Sequence, residues 1–114
     1  MADITCLAFK PHVSGSLRGF ADFHYPAARL KLIGCTVHES HGRHWVELPT
    51  KPQLDRERRL ITDDRGKIKY VSAIAWDSDQ VRRAFSRAAV AAVLTYAPWA
   101  FDQQQVTFDG GRGA

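Results

Sequence analysis

At 114 residues, with 45% hydrophobic and 11% aromatic side chains, the chain has the size and apolar content of one domain with one small core. Its 16 Lys and Arg against 12 Asp and Glu give a formal net charge of +4, which favours phosphate-bearing partners without requiring them. No apolar run reaches bilayer-spanning length and Met1-Ala2-Asp3 opens no signal segment, so no membrane association and a cytoplasmic location are expected.

Residues Ile4 to Phe9 read as a first strand, with Pro11 and Ser14-Gly15-Ser16 as the turn after it. Next, Leu17, Gly19, Ala21, Phe23 and Tyr25 alternate with Arg18, Asp22 and His24, the period of a half-buried strand. Phe20 interrupts the polar face, which implies a partial cover there, by the helix or by another subunit. Pro26-Ala27-Ala28 turns the chain into residues 30–37, apolar on both faces around Ile33 and therefore central in a sheet. The polar cluster from His38 to Arg43 is expected as a loop with Gly42 at positive φ. His44 to Leu48 then returns antiparallel and stops on Pro49, which cannot donate to a ladder. Cys6 and Cys35, far apart on apolar strands, are expected to be reduced core residues.

From Thr50 to Lys69 the chain is polar and charged, with only Leu54, Leu60, Ile61 and Ile68 as anchors, and a long mobile excursion is expected. Residues 68–76 alternate as one more strand leading into a helix, which Asp77 or Ser78 caps, with Gln80 at capping-box spacing from Asp77. On a helical wheel Val81, Ala84, Phe85, Ala88, Ala92 and Tyr96 form the face toward the sheet. The opposite face begins polar and ends with Val90, Val93 and Leu94, which are expected to form a dimer interface unless Trp99 and Phe101 fold over them. Pro98 ends the helix. Residues 1–102 are assigned to the domain and 103–114, rich in Gln and Gly, to a flexible tail. No internal repeat is expected. The fold expected is α+β, a curved antiparallel sheet of four to five strands with one C-terminal helix packed on it.

The window from Lys51 to Lys69 holds seven basic and four acidic residues, net +3. Arginine forks onto phosphate oxygens, and each neutralised phosphate releases counterions. Lys51, Arg56, Arg58, Arg59, Arg65 and Lys67 are therefore candidate nucleic-acid contacts; the alternative is a solvated loop whose acids pair with its arginines. Arg82, Arg83 and Arg87 fall in the first two turns of the helix, where they oppose its dipole, a cost that an anionic partner relieves. Exposed aromatics such as Phe20 or Trp99 are base-stacking candidates, although core or interface roles suit them better. His38, His41 and His44 invite a zinc reading, but their spacing suits a helix face better than a hairpin and no Cys or carboxylate set completes it, so no metal is expected. A strained nucleophile turn, a Gly-rich phosphate loop and a paired-carboxylate motif are all lacking, so neither catalytic residues nor a cofactor is assigned and the chain is not read as an enzyme.

With this element order in hand, the chain resembles the SpoVG family of small bacterial regulators over about residues 4 to 97. Trp45-Val46-Glu47-Leu48-Pro49-Thr50-Lys51 looks like that family's aromatic-Val-x-Met-Pro-Ser-Lys run, and Arg82 looks like its arginine near the start of the C-terminal helix. Pro52 stands where the family often has a second basic residue, and residues 70–76 only loosely echo its later Phe-Arg-Asp-Ile-Ala-His-Pro strand, so Lys51 and Arg82 alone carry over. The resemblance implies a homodimer that binds DNA or RNA through basic residues. An oligomeric protein-interaction module whose charges serve solubility is the alternative.

Overall fold

Four strands pair in chain order as an antiparallel meander: β1 (Thr5–Ser14), β2 (Leu17–Tyr25), β3 (Leu30–Ser40) and β4 (Arg43–Glu47). The structure, a computed structural model, describes residues 3–104. Tight connections keep these strands adjacent. Between β3 and β4 only His41 and Gly42 leave the ladder, at φ 53° and 79°, the paired positive values of a two-residue hairpin turn. The loop expected over residues 38–43 is thus mostly strand. Pro11, expected in a turn, lies inside β1, where an edge position tolerates its missing N–H. Gly19 is required where it stands: a Cβ there would meet the Phe9 ring at 2.6 Å and the Lys10 carbonyl at 2.5 Å.

One face of this sheet is the core. Ala21, Phe23, Leu32, Cys35, Val37 and Val46 project from it against the helix α1 (Asp79–Tyr96), and an irregularity in the β2–β3 register between Ala21 and Phe23 lets Leu32 and Cys35, an odd number of residues apart, share the face. Both cysteines are free and buried; burial pushes the Cys35 thiol up to about 12, with the Asp22 carboxylate adding to the effect. The other face carries Phe20, 38% exposed, with the His12 ring 5.9 Å away, so the helix does not cover it.

Ser78 rather than Asp77 caps α1, its hydroxyl accepting from the Val81 N–H at 3.0 Å. The helix buries Phe85, Ala89 and Val93 and leaves Tyr96 about half exposed. This corrects the wheel. Val93 lies eight residues after Phe85, and at about 100° per residue it comes to rest only about 80° from it, inside the core stripe. Val93 is therefore no interface residue, and Val90 is partly buried against the same core; only Leu94, 38% exposed, keeps the position assigned to it. After the helix a short 3-10 turn (Ala100–Asp102) folds Ala100 and Phe101 into the core, with Phe101 stacked on His44 at 4.1 Å. Gln103, expected in the tail, is tied down: its side-chain amide donates to the Arg18 and Ala100 carbonyls, both at 2.9 Å. The rest of the tail, from residue 105, lies outside the described residues.

The excursion is the largest departure from expectation. It is an ordered arm. Strands β5 (Thr50–Pro52) and β6 (Tyr70–Ser72) pair as its stalk, so the long strand expected over 68–76 shrinks to three residues. Beyond the stalk the chain forms two further hairpins, closed by the bridges Leu54↔Leu60 and Thr62↔Ile68. All three hairpins meet at a triangle of backbone hydrogen bonds: Gln53 N–H to Lys69 C=O (2.8 Å), Ile61 N–H to Gln53 C=O (3.1 Å) and Lys69 N–H to Ile61 C=O (2.9 Å). Gln53, Ile61 and Lys69 are eight residues apart, and that period is an internal repeat of backbone bonds, which corrects the expectation of none. In each lobe an aspartate closes the turn, Asp55 accepting from the Glu57 and Arg59 amides and Asp63 from the Arg65 and Lys67 amides. The left-handed position of each turn is Arg58 (φ 65°) in one lobe and Gly66 (φ 78°) in the other.

Alternation along these ladders gives the arm two unlike faces. Thr50, Pro52, Leu54, Leu60, Thr62, Ile68, Tyr70 and Ser72 share one, which contains no charge. Lys51, Lys69 and the turn-base pairs Asp55/Arg59 and Asp63/Lys67 share the other with Gln53, Ile61 and Val71.

Candidate nucleic-acid interface

The edge strand β4 and the first half of α1 enclose a groove of about 340 Å³. Residues Arg43, Trp45 and Glu47 alternate onto the same side of β4, and Arg82, Arg83 and Arg87 face them from the helix. What sets the two elements side by side is Ser86, whose hydroxyl accepts the otherwise unpaired Val46 N–H of the edge strand at 2.9 Å. The guanidinium of Arg43 lies 6.0 Å from the Trp45 ring, whose indole N–H donates to Glu47 at 2.8 Å.

Charge in this groove is unevenly spent. Asp79 binds Arg82 at 2.7 Å and Arg83 at 2.9 Å, and the hydrogen bond from Arg82, followed by the charges of Arg82 and Arg83, holds its carboxyl below the ordinary carboxylate range. The acid sits in the first helical turn, where it also complements the dipole that these arginines oppose. Arg43 and Arg87 make no ion pair among the described residues. The groove therefore presents two uncommitted guanidinium groups and two shared ones beside an indole face.

On the arm the acids are largely consumed by the fold. Arg59 is held by Asp55 (3.2 Å) and Glu57 (3.0 Å), and the amides of Lys67 and Arg65 lower the Asp63 carboxyl. Arg56, Arg58, Arg65 and Lys67 stand on the two turns with no ion pair among the described residues, and Lys51 lies on the charged face of the stalk. The turn cations line none of the grooves described here. The arm meets the helix at its root, where Thr50, Ser72, Leu48, Ile74, Trp76 and Arg82 line a second groove of about 270 Å³.

The site residues read from the sequence thus fall into two groups, the helix arginines in the β4 groove and the others on the arm. Arg43 and Trp45 complete the first group and were missed, although the alternation Arg43-x-Trp45-x-Glu47 already placed them on one side of a strand. The three histidines do not converge. His38 stacks on Trp45 (5.2 Å) with Ser16 on its Nδ1, His44 points to the opposite face against Phe101, and His41 sits on the turn. No protein-family model, curated protein or solved structure matches this chain.

Proposed function

We propose that the protein is a SpoVG-like nucleic-acid-binding regulator that takes the phosphate backbone of DNA or RNA in the β4–α1 groove and along the turns of the arm. One observation carries this reading: four arginines from two elements, Arg43, Arg82, Arg83 and Arg87, line one groove, and Asp79 pairs with only two of them. Clustered guanidinium groups suit forked contact with phosphate oxygens, and the Trp45 face beside them suits a base or sugar. Asp55, Asp63 and Glu57 bond within the arm, which leaves Arg56, Arg58, Arg65 and Lys67 of this net-positive segment without an ion pair among the described residues.

Electrophoretic mobility shift on single-stranded DNA, duplex DNA and RNA across a salt series tests the reading. Binding that weakens linearly in log salt is expected, and Arg43→Ala with Arg87→Ala should lower the slope by up to about 2, since each phosphate contact contributes about 0.9 on duplex DNA. Wild-type protein that shifts none of the three at low salt would overturn the proposal.

A further inference from the structure

The four-stranded sheet packs the helix on one side only, and its other side takes part in the site above through Arg43, Trp45 and Glu47 alone. Residues directly opposite in the ladders share a face, so Lys10, Phe20, Thr36 and Glu47 form one row across the four strands, and His38 with Trp45 belongs to the next. Between these rows Val37 and Val46 turn the other way, into the core. Two ring pairs result on the open face: His12 with Phe20, centroids 5.9 Å apart, and His38 with Trp45, stacked at 5.2 Å. We infer that this face is a stacking platform for the unpaired bases of single-stranded DNA or RNA, with Phe20 as its principal ring.

The inference rests on the nucleic-acid reading above and narrows its ligand. Charge on the face suits an anionic backbone. Lys10, opposite Phe20, and Arg43, beside Trp45, make no ion pair among the described residues, whereas the acids of the face are engaged by the sheet itself: Asp22 accepts from the Gly34 N–H at 2.9 Å and Glu47 from the Trp45 indole at 2.8 Å. The rings suit bases better than an apolar partner. Phe20 is exposed, and its neighbours in the row are Lys10 and Thr36, so it offers a base its π-face and the adjoining phosphate a counter-charge without an apolar side chain on either flank. A duplex cannot use such a surface. Its base faces are taken up by its own stack, about 3.4 Å per step, while Phe20 and Trp45 stand two strands apart, about 10 Å. A strand that reaches both has its bases spread, and at Trp45 it enters the groove, where Arg43 and the helix arginines meet its phosphates.

Fluorescence anisotropy of labelled oligothymidylate, oligouridylate and mixed-sequence duplex DNA with the full chain, across a salt series, tests this. At least one single strand is expected to bind more tightly than the duplex, and the tighter of the two separates DNA from RNA as the source. Phe20→Leu keeps apolar bulk and loses the ring. It should weaken single-strand binding roughly 5- to 100-fold with the salt slope and duplex binding unchanged, because a stacked base releases no counterion. Phe20→Tyr should retain the wild-type affinity, and both variants the thermal midpoint, since Phe20 lies outside the core. Photo-crosslinking of an iodouracil-bearing oligomer gives a second readout, with Phe20 or His12 as the expected site. A duplex bound more tightly than both single strands, equal single-strand affinity of wild type and Phe20→Leu, or crosslinks confined to the arm would overturn the inference and leave the phosphate contacts of the groove standing. Wild-type protein that binds none of the three would overturn both readings.

Discussion

The side chains buried among the described residues lie in the four-stranded sheet, the helix and the turn after it, whereas none between Thr50 and Ser72 is buried. The body is held by apolar burial and the arm by backbone hydrogen bonds closed through aspartate side chains. That difference separates stability from recognition: residues can change on the arm without touching the core, while the β4 groove, walled by core elements, is fixed in shape.

The contrast is broken most directly by truncation. Phe85→Ala should cost about 3–5 kcal/mol in chemical denaturation, since the ring is fully buried between Phe23 and Trp76. Leu60→Ala on the arm should stay within about 0.5 kcal/mol, and a large loss there would show that the arm shares the body's cooperativity. Smaller, and confined to the body, is Ser78→Ala, which removes the helix cap at about 1 kcal/mol and should lower the thermal midpoint without altering the arm's hydrogen exchange.

An opposite sign is expected inside the arm. Arg58 occupies the left-handed position that Gly66 fills in the other lobe, at a conformational cost of about 1–2 kcal/mol to a non-glycine residue. Arg58→Gly should therefore slow exchange of the Arg59 and Ile61 amides several-fold while leaving the global midpoint in place; unchanged exchange would mean the lobe carries no strain. The smallest effect is a pH dependence. Burial, with the nearby Arg18 charge adding to it, lowers the His38 pKa below its ordinary value near 6.5, partly offset by Glu47. The unfolded chain then binds the proton more readily, so this stabilising contribution is complete above pH 6.5 and is lost as pH falls toward the folded value. His38→Gln should flatten stability across that window, measured by denaturant midpoint at successive pH values.

Much of the body was legible because its signals are periodic. Leu17 to Tyr25 alternates cleanly, and the helix start is marked by Ser78. The helix face was misjudged because alanines fill most of the stripe: Ala84, Ala88, Ala89 and Ala92 give almost no amplitude to a wheel, so the sheet, not the pattern, selected Phe85-Ala89-Val93. The arm was illegible for a different reason. Its eight-residue units share chemistry at few positions, chiefly Asp55 with Asp63, Arg59 with Lys67 and Leu60 with Ile68, and what repeats is a set of backbone bonds that no side chain announces. Groove residues Arg43 and Trp45 were hidden by reading the former as loop.

The triangle joining Gln53, Ile61 and Lys69 makes arm length a quantity that changes in whole steps. A chain lacking residues 53–60 would bring Ile61 into the place of Gln53 opposite Lys69, directly between the pairs Pro52↔Tyr70 and Thr62↔Ile68. The ladder would then run unbroken from the stalk to the remaining turn, one lobe shorter and in the same register. Gain or loss of one such unit leaves β4, α1 and the groove they enclose in place, so the reach of this segment can change without a change of fold.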